Sequence, residues 1–218
     1  MNNDISKVTE SSNTSNSNAD QQTSHIQKHA TQTLIALYCG SRAGNKPIYK
    51  EKAIKLAEGI AQHGFGIVYG GASIGLMGQV ADSVIQHGGE VVGVIPEFML
   101  DYEIAHSTLT ELHIVKTMHQ RKAMMADRAS AFVALPGGLG TFEEILEVAT
   151  WGQLNQHQKP IIIYNVNGFY DPLIGQLDHA VREGFLPPQH RAKVIVCDHA
   201  EQIFTAIANL QSPKTFVV

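Results

Sequence analysis

The chain has 218 residues, of which 44% are hydrophobic and 17% charged, with a formal net charge of −4. That length suits one α/β domain with a sizeable core, and the acidic balance argues against a nucleic-acid partner, which would call for a basic face. No apolar run approaches the roughly 20 residues of a membrane-spanning helix, so no membrane partner is expected.

Residues 1–32 differ from the rest. Met1 to Ala30 is rich in Asn, Ser, Thr and Gln, with Ile5, Val8 and Ile26 as its large aliphatics. Such a segment buries too little apolar area to offset its ordering entropy, and it lacks the continuous apolar stretch of a secretory signal. It reads as a disordered polar tail over 1–32, followed by a single domain over 33–218.

From Leu34 onward, short apolar runs alternate with longer amphipathic ones. Strands are expected at Leu34–Tyr38, Gly66–Tyr69, Glu90–Ile95, Leu112–Val115, Ala131–Leu135, Pro160–Tyr164 and Val194–Cys197. They are short and β-branched, as in a sheet buried on both faces. Helices are expected at Ile48–His63, Leu76–His87, Met118–Ala129, Thr141–Leu154, Asp171–Glu183 and Glu201–Leu210. Pro47 and Pro172 fall near helix starts, and Gly64, Gly88 and Gly184 follow helix ends. Regular β-α alternation predicts an α/β fold, a Rossmann-like doubly wound parallel sheet of about seven strands with helices on both faces. Ligands of such folds bind beyond the carboxyl ends of the strands.

Three of those ends are glycine-rich: Cys39 to Gly44, Gly70 to Gly75, and the turn at Pro136. None matches the dinucleotide pattern G-x-G-x-x-G, and no Gly-Lys-Ser/Thr sequence marks a P-loop. The turn Leu135-Pro136-Gly137-Gly138-Leu139-Gly140-Thr141-Phe142-Glu143-Glu144 is the most informative. It joins an apolar strand to a helix expected to open at Thr141. Backbone amides there form a cradle for a phosphate, with two carboxylates expected in the helix's first turn.

Glu144 has two readings. Thr141-x-x-Glu144 fits a capping box; alternatively, Glu144 lies off the apolar stripe of Phe142, Ile145, Leu146 and Ala149 and faces a pocket above the strand ends. Met118-His119-Gln120-Arg121-Lys122 opens the preceding helix. Cations near a helix N-terminus oppose its dipole by about 0.3–1 kcal/mol. They are either a solvated basic end or a grip on an anion. His119 is the one histidine of eleven expected near this site. Neither the histidines nor Cys39 and Cys197 show ligand spacing, so no metal is expected; buried, reduced thiols fit a cytoplasmic protein.

Several segments together resemble the LOG (Lonely Guy) family, cytokinin riboside 5′-monophosphate phosphoribohydrolases often labelled lysine decarboxylases. MHQRK at Met118–Lys122 and PGGLGTFEE at Pro136–Glu144 match the family's paired signature. CGS at Cys39–Ser41, YGGASIGLMG at Tyr69–Gly78, GVIP at Gly93–Pro96 and EVATWGQL at Glu147–Leu154 support it. Arg42 departs from the pattern, where many members have a second Ser. The resemblance implies hydrolysis of a nucleoside 5′-monophosphate to free base and ribose 5-phosphate by a homodimer without cofactor. It implies Arg121 and Glu144 as the catalytic pair. Gly137, Gly138, Leu139, Gly140, Thr141, Phe142 and Glu143 would hold phosphate and ribose, and Glu103, Lys122 and Thr150 would contact the nucleotide. Two rivals remain: a nucleotide-binding module without hydrolysis, and decarboxylation, which needs a Schiff-base lysine for pyridoxal phosphate that no segment convincingly supplies.

Overall fold

Seven short runs form one parallel sheet in the computed structural model, which describes residues 32–100 and 105–211. In chain order the strands are β1 (Thr33–Tyr38), β2 (Phe65–Tyr69), β3 (Val91–Pro96), β4 (Glu111–Val115), β5 (Ala129–Ala134), β6 (Ile161–Tyr164) and β7 (Val194–Cys197). Their order across the sheet is β4-β3-β2-β1-β5-β6-β7. β1 is central: Ile35 sits level with Ile67 on one side and Ala131 on the other.

The strands are sandwiched by α1 (Pro47–Gln62), α2 (Gly75–Gln86), α3 (Met118–Arg128), α4 (Leu139–Gln153), α5 (Asp171–Arg182), the short α6 (Pro188–Arg191) and α7 (Ala200–Gln211). Side chains alternate along each strand, so β1 feeds two cores. Ile35 and Leu37 join Leu56, Ile60, Val80 and Ile203, which come from α1, α2 and α7. Leu34, Ala36 and Tyr38 join Met125, Ile145 and Val148 from α3 and α4, with Leu173 and Ile174 of α5 against them. This is the expected doubly wound arrangement.

Pro47 and Pro172 occupy the first turns of α1 and α5. Gly64 (φ +75°) and Gly88 (φ +79°) follow α1 and α2 in the left-handed region that ends a helix without a Cβ penalty. The helix α6 was not expected. It is a four-residue turn after Pro187, too short to show periodicity, tied back by Arg191 Nε donating to Asp178 at 2.7 Å.

Nearly all of the expected tail lies outside the described residues. Gln32 does not: its N–H donates to Glu90 Oε2 at 3.1 Å, and its side-chain oxygen accepts from the Glu90 N–H at 2.8 Å. Gln32, counted with the tail from sequence, is thus bonded to the residue that leads into β3. Among the described residues no helix is long and apolar enough to cross a membrane.

Candidate active site

The chain runs outward from β1 through β2, β3 and β4, then returns to place β5 beside β1. Loops leaving β1 and β5 part in opposite directions, which opens a crevice at their carboxyl ends. The two loops are fastened where they part, with Gly40 N–H donating to Pro136 O at 3.1 Å. A Cβ on Gly137 would collide with Thr141 Oγ1 and lie 2.9 Å from Gly40 N.

Helix α4 starts two residues earlier than the sequence suggests. Gly138 is its N-cap and offers no side-chain bond. The first helical bond runs from Phe142 N–H to Gly138 O at 3.1 Å, so the amides of Leu139, Gly140 and Thr141 have no partner within the helix. No acid stands in that first turn. Thr141 is the third helical residue and Glu144 the sixth, which removes the capping-box reading, since that box needs the acid at the third position. It also corrects the expected placement of both carboxylates in the first turn. The buried stripe is Thr141, Glu144, Ile145, Val148 and Gly152. Glu144 lies on it rather than off it, while Leu146, expected to face inward, is 37% exposed.

Helix α3 is capped by Thr117, whose side chain accepts from Gln120 N–H at 3.1 Å. Arg121 and Lys122 thereby fall at the fourth and fifth helical positions, past the amides they were expected to oppose. Arg121 is buried. Its Nη2 stands 3.8 Å from Glu144 Oε1, with side chains 7% and 11% exposed. Its Nη1 donates to Met99 Sδ at 3.5 Å and Met118 Sδ at 3.9 Å. Among the described residues its Nε, which is buried, has no hydrogen-bond partner. An unmet buried donor costs about 1–3 kcal/mol, a cost that a ligand carrying oxygen acceptors would lift.

These groups enclose a cleft of about 240 Å³, walled by Leu37, Cys39 and Ser41 from β1 and its loop, Gly70 after β2, Met77, Met99, Met118 and Arg121, and Gly138 to Thr141 with Glu143 and Glu144. Burial, then the Glu144 charge, pushes the Cys39 thiol far above its ordinary value. Both effects favour the neutral thiol over the thiolate. Burial, then Glu144 and Glu147, raises the Tyr38 phenol well above its usual value, with Arg121 pulling the other way.

The other expected site residues divide. Gly138, Leu139, Gly140, Thr141 and Glu143 line the cleft. Gly137 faces a wider neighbouring hollow of about 570 Å³, whose walls include Ser41, Arg42, Tyr49, Leu76 and Phe169. Phe142 packs on Phe169 and Tyr170 at 6.3 and 6.0 Å. Thr150 is exposed, and its hydroxyl donates to Leu146 O at 2.8 Å. Glu103 lies outside the described residues. His119 is exposed and does not line the cleft. The histidine fastened next to the site is His106, whose N–H donates to Gly71 O at 3.0 Å and whose ring meets Asp82 at 3.0 Å.

Lys122 does not line the cleft either. Its Nζ bonds Glu143 and Glu147 at 3.0 Å each, joining α3 to α4. Burial works to lower its pKa, but the two carboxylates leave it raised. Glu143 is mostly exposed, so water screens that arm. We expect Lys122→Met to cost about 1 kcal/mol, or about 3 °C of Tm. Because the folded pKa is raised, this stabilisation is complete below the unfolded value of about 10.4 and is lost above it. Melting scans should show the gap between variant and parent holding at neutral pH and closing above about pH 10.5.

Fold and crevice together define a doubly wound α/β protein with an open glycine-turn helix start facing a buried Arg–Glu pair. Residues 77–207 match the family described as possible lysine decarboxylase. The chain is 46% identical over 188 residues to the cytokinin riboside 5′-monophosphate phosphoribohydrolase of Rhodococcoides fascians, covering 86% of this chain and 93% of that one. It is 46% identical over 169 residues to the Arabidopsis thaliana phosphoribohydrolase LOG7, covering 78% of each. The chain belongs to this phosphoribohydrolase family, which carries the decarboxylase description; among the described residues no lysine lines the cleft. Among solved structures it is similar to the molybdenum cofactor binding protein from Rippkaea orientalis, with TM-score 0.62 and 19% identity over 83% of this chain and 98% of that one. The molybdenum cofactor carrier protein from Chlamydomonas reinhardtii gives TM-score 0.62 and 18% identity over 82% and 98%. These two likenesses concern the fold alone.

Proposed function

We propose that the cleft hydrolyses the N-glycosidic bond of a nucleoside 5′-monophosphate, a cytokinin riboside 5′-monophosphate or AMP, releasing the free base and ribose 5-phosphate. The observation that carries this reading is the buried Arg121–Glu144 pair at 3.8 Å in one cleft with the open start of α4. The phosphate sits over the amides of Leu139, Gly140 and Thr141, where partial positive charge gathers and the first turn holds no acid. The neighbouring hollow adds Arg42 and no carboxylate to that side. The ribose then reaches inward, towards Glu144.

Breaking the C1′–N bond sends its electron pair to the base and leaves positive charge on the ribose. Water adds to C1′, one of its protons leaves, and the base gains a proton. The Glu144 carboxylate stabilises the charge on the sugar or orients the water. Arg121 remains protonated throughout, so it acts as a fixed charge that orients Glu144 and the sugar phosphate. Phosphate binding positions C1′ against Glu144. A binding-only module would have no use for a buried acid directed into the same cleft.

The homodimer and the cytoplasmic location implied by the resemblance belong to the same reading. Exposed Leu146 and Leu154 on and just after α4 support the first as apolar surface to bury. The test is chromatography of the protein incubated with several nucleoside 5′-monophosphates. Free base and ribose 5-phosphate are expected in equal amounts, and the matching nucleosides without phosphate should turn over at least about a hundredfold more slowly, because binding energy from the remote phosphate is lost. Tight AMP binding with no free adenine would leave only the carrier reading.

A further inference from the structure

The Arg121 guanidinium lies where a side chain on the neighbouring strand end would stand. Gly70 follows β2 directly. A Cβ built on it collides with Arg121 Nη2, stands 3.2 Å from Arg121 Cζ and 3.3 Å from Met77 Sδ. Backbone conformation does not explain the glycine, because Gly71, not Gly70, holds the left-handed φ of +82°. The strand end has no room to retreat. Tyr69 before it is fully buried and level with Gly93 in the sheet. Gly71 O after it accepts from His106 N–H at 3.0 Å, and a Cβ on Gly93 would already be 2.9 Å from Gly71 Cα. The movable partner in any conflict is the tip of the arginine.

We propose that Gly70 is a positioning residue: its missing side chain is the recess that seats the Arg121 guanidinium against Glu144. The recess holds one edge of the guanidinium, the thioethers of Met99 and Met118 hold Nη1, and the carboxylate faces Nη2. Filling the recess with one methyl group displaces Nη2 and separates the pair. Displacement of about 1 Å in such a constellation is worth about a hundredfold in rate. The catalytic consequence rests on the proposed hydrolase reading; the seating itself does not.

The test is Gly70→Ala, alone and combined with Arg121→Lys, which puts no guanidinium in the recess. For Gly70→Ala we expect kcat on a nucleoside 5′-monophosphate to fall about a hundredfold with KM within about threefold. Its crystal structure should show Arg121 drawn away from Glu144. In the Arg121→Lys background the same alanine should change kcat by less than about threefold, as for two changes acting through one group. A Gly70→Ala structure with the guanidinium still in place overturns the proposal, as does unchanged kcat or an undiminished loss on top of Arg121→Lys. Should Gly70→Ala fail to fold, adding the alanine to Arg121→Lys should leave the Tm of Arg121→Lys within a few degrees, because the obstruction is gone; a further large fall in Tm also overturns it. If the parent protein releases no base at all, the hydrolase reading falls, and the crystal structure alone still decides the seating.

Discussion

Glu144→Gln should reduce kcat about 10²- to 10³-fold while leaving Tm within a few degrees. The amide matches the carboxylate in shape and removes only its charge. That charge is what an oxocarbenium-like ribose requires, and a preorganised group of this kind is worth about 2.7–4 kcal/mol in the transition state. Substrate binding draws mainly on the amides at the start of α4, so KM should change little. The capping role that would have made Glu144 a structural residue is absent: Gly138 caps α4 through its backbone, and Glu144 stands six positions in. The Glu144 side chain is 11% exposed and 3.8 Å from Arg121 Nη2, so some stability is lost with the charge, but the helix start is untouched. Steady-state kinetics beside thermal melting separate the two contributions. Full activity in the Gln variant would remove Glu144 from the chemistry.

Arg121→Lys should lower kcat/KM by about 10²- to 10³-fold, comparable to the loss of a preorganised transition-state contact. Charge is conserved, so the loss tests geometry. A guanidinium is a planar fork, and here one side meets two thioethers while the other faces Glu144. An ammonium is a compact, strongly hydrated point charge that cannot do both. Lysine at this depth also keeps its positive charge at greater desolvation cost, so Tm should fall as well. Retention of more than about a tenth of the parent's kcat/KM would reduce Arg121 to a generic cation. That outcome would shift weight to the amides of α4 as the main electrostatic element.

Much of the architecture was legible in the sequence because each signal was local. β-branched runs bounded by glycine gave the strands, and regular alternation gave the parallel, doubly wound sheet. The signatures Met118–Lys122 and Pro136–Glu144 pointed to two helix starts that the fold brings to one crevice. What escaped was non-local or ran against propensity. Gly138-Leu139-Gly140 reads as a loop because glycine is a poor helix former, yet α4 begins at Leu139. That shift of two residues misplaced Glu144 in its helix. The engagement of Lys122 by Glu143 and Glu147 depends on the spacing of α3 and α4, which no single segment encodes. Gly70 looked like one more turn glycine; the cue was its place at the carboxyl end of a strand, beside Gly71, the one of the two that needs the unusual φ. Met99 and His106 come from the stretch between β3 and β4, which carried no periodic signal at all.

The central pairing of β1 with β5 has a consequence for how the molecule comes into being. Leu34 lies level with Ala129, so the ribbon at the heart of the sheet joins segments nearly half the chain apart. Closing so long a loop is a slow event in folding. Until β5 arrives, β1 presents a bare apolar edge open to pairing with another molecule. The same event brings the turn after β5 onto the loop after β1. Pairing with β5 therefore covers that edge and forms the crevice in one step, and a nascent chain that stops short of β5 has neither.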